Sequence, residues 1–191
     1  MQNLKEFFLT NLKQFRKFWV NQIAISLLGV MITLPVLTLE RNNPELGSWP
    51  ELLAAAFCGG MFCFLIYDLF YALGAKDYIR VHHQNAEEDK YKALKIALLA
   101  YSPTLLVALL AVIFKLFELA DAYAVTSVIM NMGIHAMYSG LFFFIPDSFN
   151  VIAFPVSIGI TLFFAWLGYF IANKDTSLRA IFGIKTKPYR E

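Results

Sequence analysis

Five long apolar stretches, at residues 18–39, 52–74, 93–116, 123–145 and 151–172, constrain this chain more than any other feature. A bilayer's hydrocarbon is about 30 Å thick and a helix rises 1.5 Å per residue, so a crossing takes roughly 20 mostly apolar residues. Each stretch reaches that length, and the expected fold is an all-α integral membrane protein forming one membrane domain over residues 1–191. Composition agrees: 59% of the chain is hydrophobic and 16% charged, against about 25% charged in ordinary soluble domains. Soluble globular and disordered classes are therefore excluded. A formal net charge of +2 gives no support to a nucleic-acid partner. No stretch reads as a cleaved signal peptide, because the first begins late and is too long for an h-region.

Ahead of the first stretch, Leu4, Phe7, Phe8, Leu12, Phe15 and Phe18 recur at helical spacing, while Lys5, Lys13, Arg16 and Lys17 mostly take other faces. This predicts an amphipathic interfacial helix over residues 1–17, with Lys13, Arg16 and Lys17 against lipid headgroups. The alternative is a plain extension of the first span. Residues 75–92 are polar and contain Asn85-Ala86-Glu87-Glu88. That capping-box-like pattern predicts a third helix starting near Ala86, and Pro103 then bends it.

Positive charge marks the cytoplasmic side of short loops. Lys5, Lys13, Arg16 and Lys17 precede the first span; Lys76, Arg80, Lys90, Lys92 and Lys95 follow the second; Lys174, Arg179, Lys185, Lys187 and Arg190 lie in a basic tail over residues 173–191. All three groups belong inside, whereas the loop with Glu40, Glu45 and Glu51 and the turn with Glu118 and Asp121 suit the outside. Both termini inside require an even number of crossings. The stretch at 123–145 is the most polar of the five, so the expected fold has four full spans, with this fifth hydrophobic helix re-entrant, tilted or interfacial. The alternative is five full spans with an external C-terminus.

Phe18-Trp19-Val20-Asn21-Gln22-Ile23-Ala24-Ile25-Ser26-Leu27-Leu28-Gly29, Tyr67-Asp68, Gly74-Ala75-Lys76-Asp77-Tyr78-Ile79-Arg80-Val81, Met137-Tyr138-Ser139-Gly140-Leu141 and Gly168-Tyr169 together resemble a family of small multi-pass membrane proteins from anaerobic Gram-positive bacteria. The resemblance covers most of the chain and implies a bacterial plasma membrane. That family has no assigned function, so it supplies no catalytic or binding residues.

Ionisable residues within apolar helices are costly and point to function. Asp68, two turns before the second stretch ends, can bind a proton or cation, or hydrogen-bond to a neighbour as a structural group. Ser127, Asn131, His135 and Ser139 step by four residues, which on an α-helix lays them along one face beside Tyr138. Such a stripe suits a permeation path, a wet surface or interhelical hydrogen bonds. Matching faces run along the first span (Gln22, Ser26, Gly29, Thr33), the second (Ala55, Gly59, Cys63, with Ala56 and Gly60) and the last (Ser157, Thr161, Ala165, Gly168). Small residues there let helices approach closely. His83 and Glu87 supply two ligands of the three that a catalytic zinc needs, so no metal is expected. Cys58 and Cys63 lie on diverging helix faces and suit apolar filling. Phosphate-binding loops, nucleophile elbows, zincin motifs and dinucleotide fingerprints are missing from the sequence.

These features point to a non-enzymatic scaffold or accessory subunit, with no cofactor. Its expected partners are membrane lipids and other membrane subunits or further copies of itself. The alternative is an oligomeric channel or carrier using Asp68 with Ser127, Asn131, His135 and Ser139.

Overall fold

The computed structural model describes residues 4–84, 87, 89–142 and 150–174, and among them every regular element is helical. Helix α1 (Leu4–Thr10) and α2 (Leu12–Asn42) meet at Asn11, whose carboxamide donates to the Phe7 carbonyl at 2.8 Å. Phe8 stacks on Phe15 at 4.7 Å and ties the two helices together. The separate amphipathic helix is thus shorter than residues 1–17, because Asn11 diverts the backbone (φ −106°, ψ 15°), and Lys13, Arg16 and Lys17 belong to the first long helix.

After a short 3₁₀ turn (Pro44–Leu46), α3 runs 36 residues from Trp49 to Gln84. At 1.5 Å per residue it is about 54 Å long, well beyond the hydrocarbon thickness. Its last turns carry Lys76, Asp77 and Arg80, so the polar stretch expected as a loop is helical as far as Gln84. A helix already nucleated by the apolar stretch upstream continues there at roughly one hydrogen bond per added residue, with no Gly or Pro after Gly74 to stop it.

Helix α4 (Lys92–Ala100) starts six residues later than the expected Ala86, with the Tyr91 N–H donating to Asp89 Oδ1 at 3.1 Å. Asn85, Ala86 and Glu88 lie outside the described residues. A 56° bend separates α4 from α5 (Ser102–Leu116). Pro103 causes it, having no N–H for the Leu99 carbonyl and a ring that clashes with it. The carbonyls loosened by the bend find side chains instead: Ser102 Oγ donates to Leu99 at 2.8 Å and Trp19 Nε1 to Ala100 at 2.8 Å. Glu118, in the left-handed region at φ 56°, turns the chain. Helix α6 (Ala120–Val128) then returns along α5, with the Lys115 ammonium 5.4 Å over the Tyr123 ring.

Beyond α6 the helix is broken. A π-helical turn (Ile129–Ile134) leads into a 3₁₀ turn (Ala136–Tyr138) and a short α7 (Ser139–Phe142), and α8 (Asn150–Asn173) ends the described chain. Three helices, α2, α3 and α8, are long and apolar enough to cross a membrane, and the bent α4–α5 pair makes a fourth if it counts as one span.

α3 is the axis, flanked by α2 and α8. Phe15, Phe18, Phe62, Phe70 and Tyr101 are fully buried around it. Glycine sets the closeness: a Cβ on Gly74 would lie 2.7 Å from the Tyr169 carbonyl, and one on Gly168 would strike the Tyr67 carbonyl. On α2, a Cβ on Gly29 would lie 2.7 Å from both the Ala136 carbonyl carbon and the Met137 nitrogen. Gly60, in contrast, has nothing within 4 Å. Gly29→Ala is therefore expected to destabilise the bundle by about 1–3 kcal/mol, the usual overpacking range, and Gly60→Ala to leave it unchanged. Thermal unfolding of both variants in mild detergent checks this.

Candidate functional site: a buried polar seam and a charged groove

The seam is built on residues 133–140, where three helices converge on broken backbone. From α2, Ser26 Oγ donates to the Gly133 carbonyl at 2.8 Å, Gly29 admits the Ala136–Met137 peptide, and the Thr33 and Ser139 hydroxyls meet at 3.2 Å. From α3, Gly59 packs under the Tyr138 ring and Cys63 Sγ lies 3.4 Å from the Tyr138 hydroxyl. From α8, Ser157 Oγ lies 3.1 Å from His135 Nδ1, and Thr161 Oγ1 lies 3.1 Å from the Tyr138 hydroxyl. His135, Tyr138, Ser157 and Thr161 are all buried.

Counting protons orients these bonds. Ser157 donates to the Phe154 carbonyl at 2.9 Å, so its oxygen is left to accept, and a proton on His135 Nδ1 completes the bond. Thr161 likewise donates to the Ser157 carbonyl at 3.1 Å, so Tyr138 donates to Thr161 and Cys63 to Tyr138. His135 Nε2, Asn131 Oδ1 and Ser127 Oγ have no hydrogen-bond partner among the described residues.

The four-residue stripe does not survive as one face. His135 N–H bonds to Met130 O at 2.7 Å, a five-residue step, and Tyr138 N–H to His135 O at 2.8 Å, a three-residue step. A stripe at i, i+4 assumes 3.6 residues per turn, and the π turn followed by a 3₁₀ turn rotates the later residues away. His135 and Ser139 consequently reach α8 and α2, while Ser127 and Asn131 stay half-buried on the earlier segment.

Asp68 is elsewhere. It is exposed and lines an open groove of about 730 Å³ between the start of α2 and the middle of α3, together with Lys13, Arg16 and Lys17. The groove brings together all four charged side chains that the sequence singled out, and none of the stripe residues lines it.

A second charged centre was missed. Asp77, buried near the end of α3, accepts from the Lys92 ammonium through both carboxylate oxygens at 2.8 Å, with Arg80 at 3.9 Å. The Tyr169 hydroxyl sits 3.0 Å from Asp77 Oδ2 and 3.1 Å from the Asp89 carbonyl. Helices α3, α4 and α8 are thereby joined at one point. A signal existed: Phe70, Leu73, Gly74 and Asp77 continue one buried face of α3 at three- and four-residue steps. Among the described residues no three His, Cys, Asp or Glu side chains converge as a metal site requires.

Comparison of the chain with protein-family models, curated proteins and solved structures finds no match.

Two outcomes follow from this geometry. Asp77→Ala leaves the part-buried Lys92 ammonium unpaired and is expected to destabilise by about 3 kcal/mol, with Lys92→Met in the same chain recovering much of the loss. A double-mutant cycle in thermal unfolding measures it. Ser157→Ala strips His135 of its acceptor and is expected to destabilise by about 1 kcal/mol, within the range for hydrogen bonds between membrane helices.

Proposed function

We propose that this chain is a non-enzymatic membrane subunit, a small scaffold or accessory protein that acts through its helix surfaces and its basic end. One observation carries the reading: the π and 3₁₀ turns split the four-residue stripe, and His135 and Ser139 bond to neighbouring helices while Ser127 and Asn131 stay apart from them. Ser139 bonds Thr33, His135 bonds Ser157, and the space around them is filled by Met137 and Tyr138, both buried. Asp68 faces a different surface. A channel or carrier needs those groups on one wet route, and Asp68, His135 and Ser139 do not share a surface.

The same packing supports a topology of four crossings, with residues 120–142 entering and leaving on one side. Gly133, Ala136 and Ser139 follow α2 at Ser26, Gly29 and Thr33, so this part runs in the direction of α2. Helix α6 approaches antiparallel to α5, with Ile134 returning beside Thr104. A chain that descends along α5 and then turns to follow α2 reverses inside the bundle. Backbone that is not helical is tolerated at membrane depth where protein covers it. The described ends of the chain, Leu4 and Lys174, then share one side with the basic residues around Lys13 and Lys92, read as the cytoplasmic side of a bacterial plasma membrane; the rest of the basic tail, residues 175–191, lies outside the described residues.

The subunit reading is tested by native mass spectrometry of full-length protein extracted from its own membranes in mild detergent. The expected result is an assembly of fixed stoichiometry, with itself or with another membrane protein. A stable monomer carrying only lipid overturns it, as does solute flux in proteoliposomes that is abolished by Asn131→Leu.

A further inference from the structure

The groove between α2 and α3 holds exposed side chains of both signs of charge. Lys13, Arg16 and Lys17 sit at i, i+3 and i+4 and so share a face of α2. Asp68 looks onto that face from α3. None of the four has an ion pair or hydrogen bond among the described residues. Three like charges on one helix face favour an anion among them, and an exposed carboxylate within an otherwise apolar stretch of helix favours a cation beside it. The rest of the lining is mainly apolar, formed by Leu12, Val20 and Leu65 with buried Leu69, and Asn21 is its one uncharged polar residue. A ligand that fits carries a phosphate, a cationic donor a few bonds away, and a hydrocarbon part.

We propose that this groove binds one phospholipid with a phosphoethanolamine headgroup. Arg16, flanked by Lys13 and Lys17, grips the phosphodiester, since a guanidinium forks onto two phosphate oxygens. The primary ammonium donates to Asp68, and an acyl chain lies along Val20 and Leu65. A phosphoglycerol headgroup satisfies the cations but leaves Asp68 without a cation, and a phosphocholine headgroup has no N–H to donate. Asp68 is thus the selecting residue and the three cations supply general affinity. This assignment is independent of the subunit reading, because it needs only membrane insertion of the folded chain.

The test uses delipidated full-length protein in mild detergent, with dioleoyl phosphatidylethanolamine, phosphatidylcholine or phosphatidylglycerol added in turn and bound lipid counted by native mass spectrometry. Phosphatidylethanolamine is expected to be retained about fivefold better than phosphatidylcholine, the size of one partly exposed ion pair. Asp68→Asn should erase that preference and Asp68→Glu restore part of it, with unchanged thermal unfolding. Arg16→Gln with Lys17→Gln should weaken retention of all three lipids. Equal retention of the three by the native chain, or a preference untouched by Asp68→Asn, overturns the proposal. So does displacement of the lipid by equimolar glycerophosphoethanolamine, which would mark a site for a soluble phosphodiester.

Discussion

The fold depends on letting irregular backbone lie inside an apolar bundle. Away from water an unpaired N–H or C=O costs several kcal/mol, so a non-helical segment at that depth survives only where neighbours cover it and supply partners. Residues 133–140 meet both demands. Gly29, Gly59 and the small face of α8 let three helices close on the segment, and Ser26, Thr33, Ser157 and Thr161 hydrogen-bond to it. With larger residues on those faces the break would have no room, and with apolar ones its carbonyls and His135 would have fewer partners.

The seam holds the middle of the bundle and the Asp77 centre holds one end. Asp77, Lys92 and Tyr169 come from three helices, and Gly74 and Gly168 bring α3 and α8 together just before they meet. Close helix packing and the ion pair support each other: without the glycines Tyr169 could not reach Asp77, and without Asp77 the Lys92 ammonium at the start of α4 would have no carboxylate. The Pro103 bend then swings α5 away from the axis, which leaves space for α6 to return beside it.

Much of this was legible in the sequence. The apolar lengths at 151–172 match α8 closely, Pro103 marks the bend, and the faces through Gly29, Gly59 and Gly168 are the ones that close on neighbours. What periodicity missed has physical causes. A four-residue stripe presumes α-helical turns, so Ser127, Asn131, His135 and Ser139 could not reveal the π and 3₁₀ turns that separate them. Asp68 reads alike whether it faces core or surface, and only the placement of α2 against α3 puts it opposite Lys13, Arg16 and Lys17. Asn11 splits the N-terminal helix through a local side-chain bond that apolar spacing does not record.

The reversal of the broken segment is open to one direct measurement. In full-length protein with Cys58 and Cys63 replaced by Ala, single cysteines at Asp121, before the segment, and at Lys174, after α8, are labelled in oriented vesicles with a membrane-impermeant maleimide. If residues 120–142 turn back as proposed, one crossing separates the two positions, and they label from opposite sides. Labelling of both from the same side would mean that the segment crosses, and would contradict the reversal.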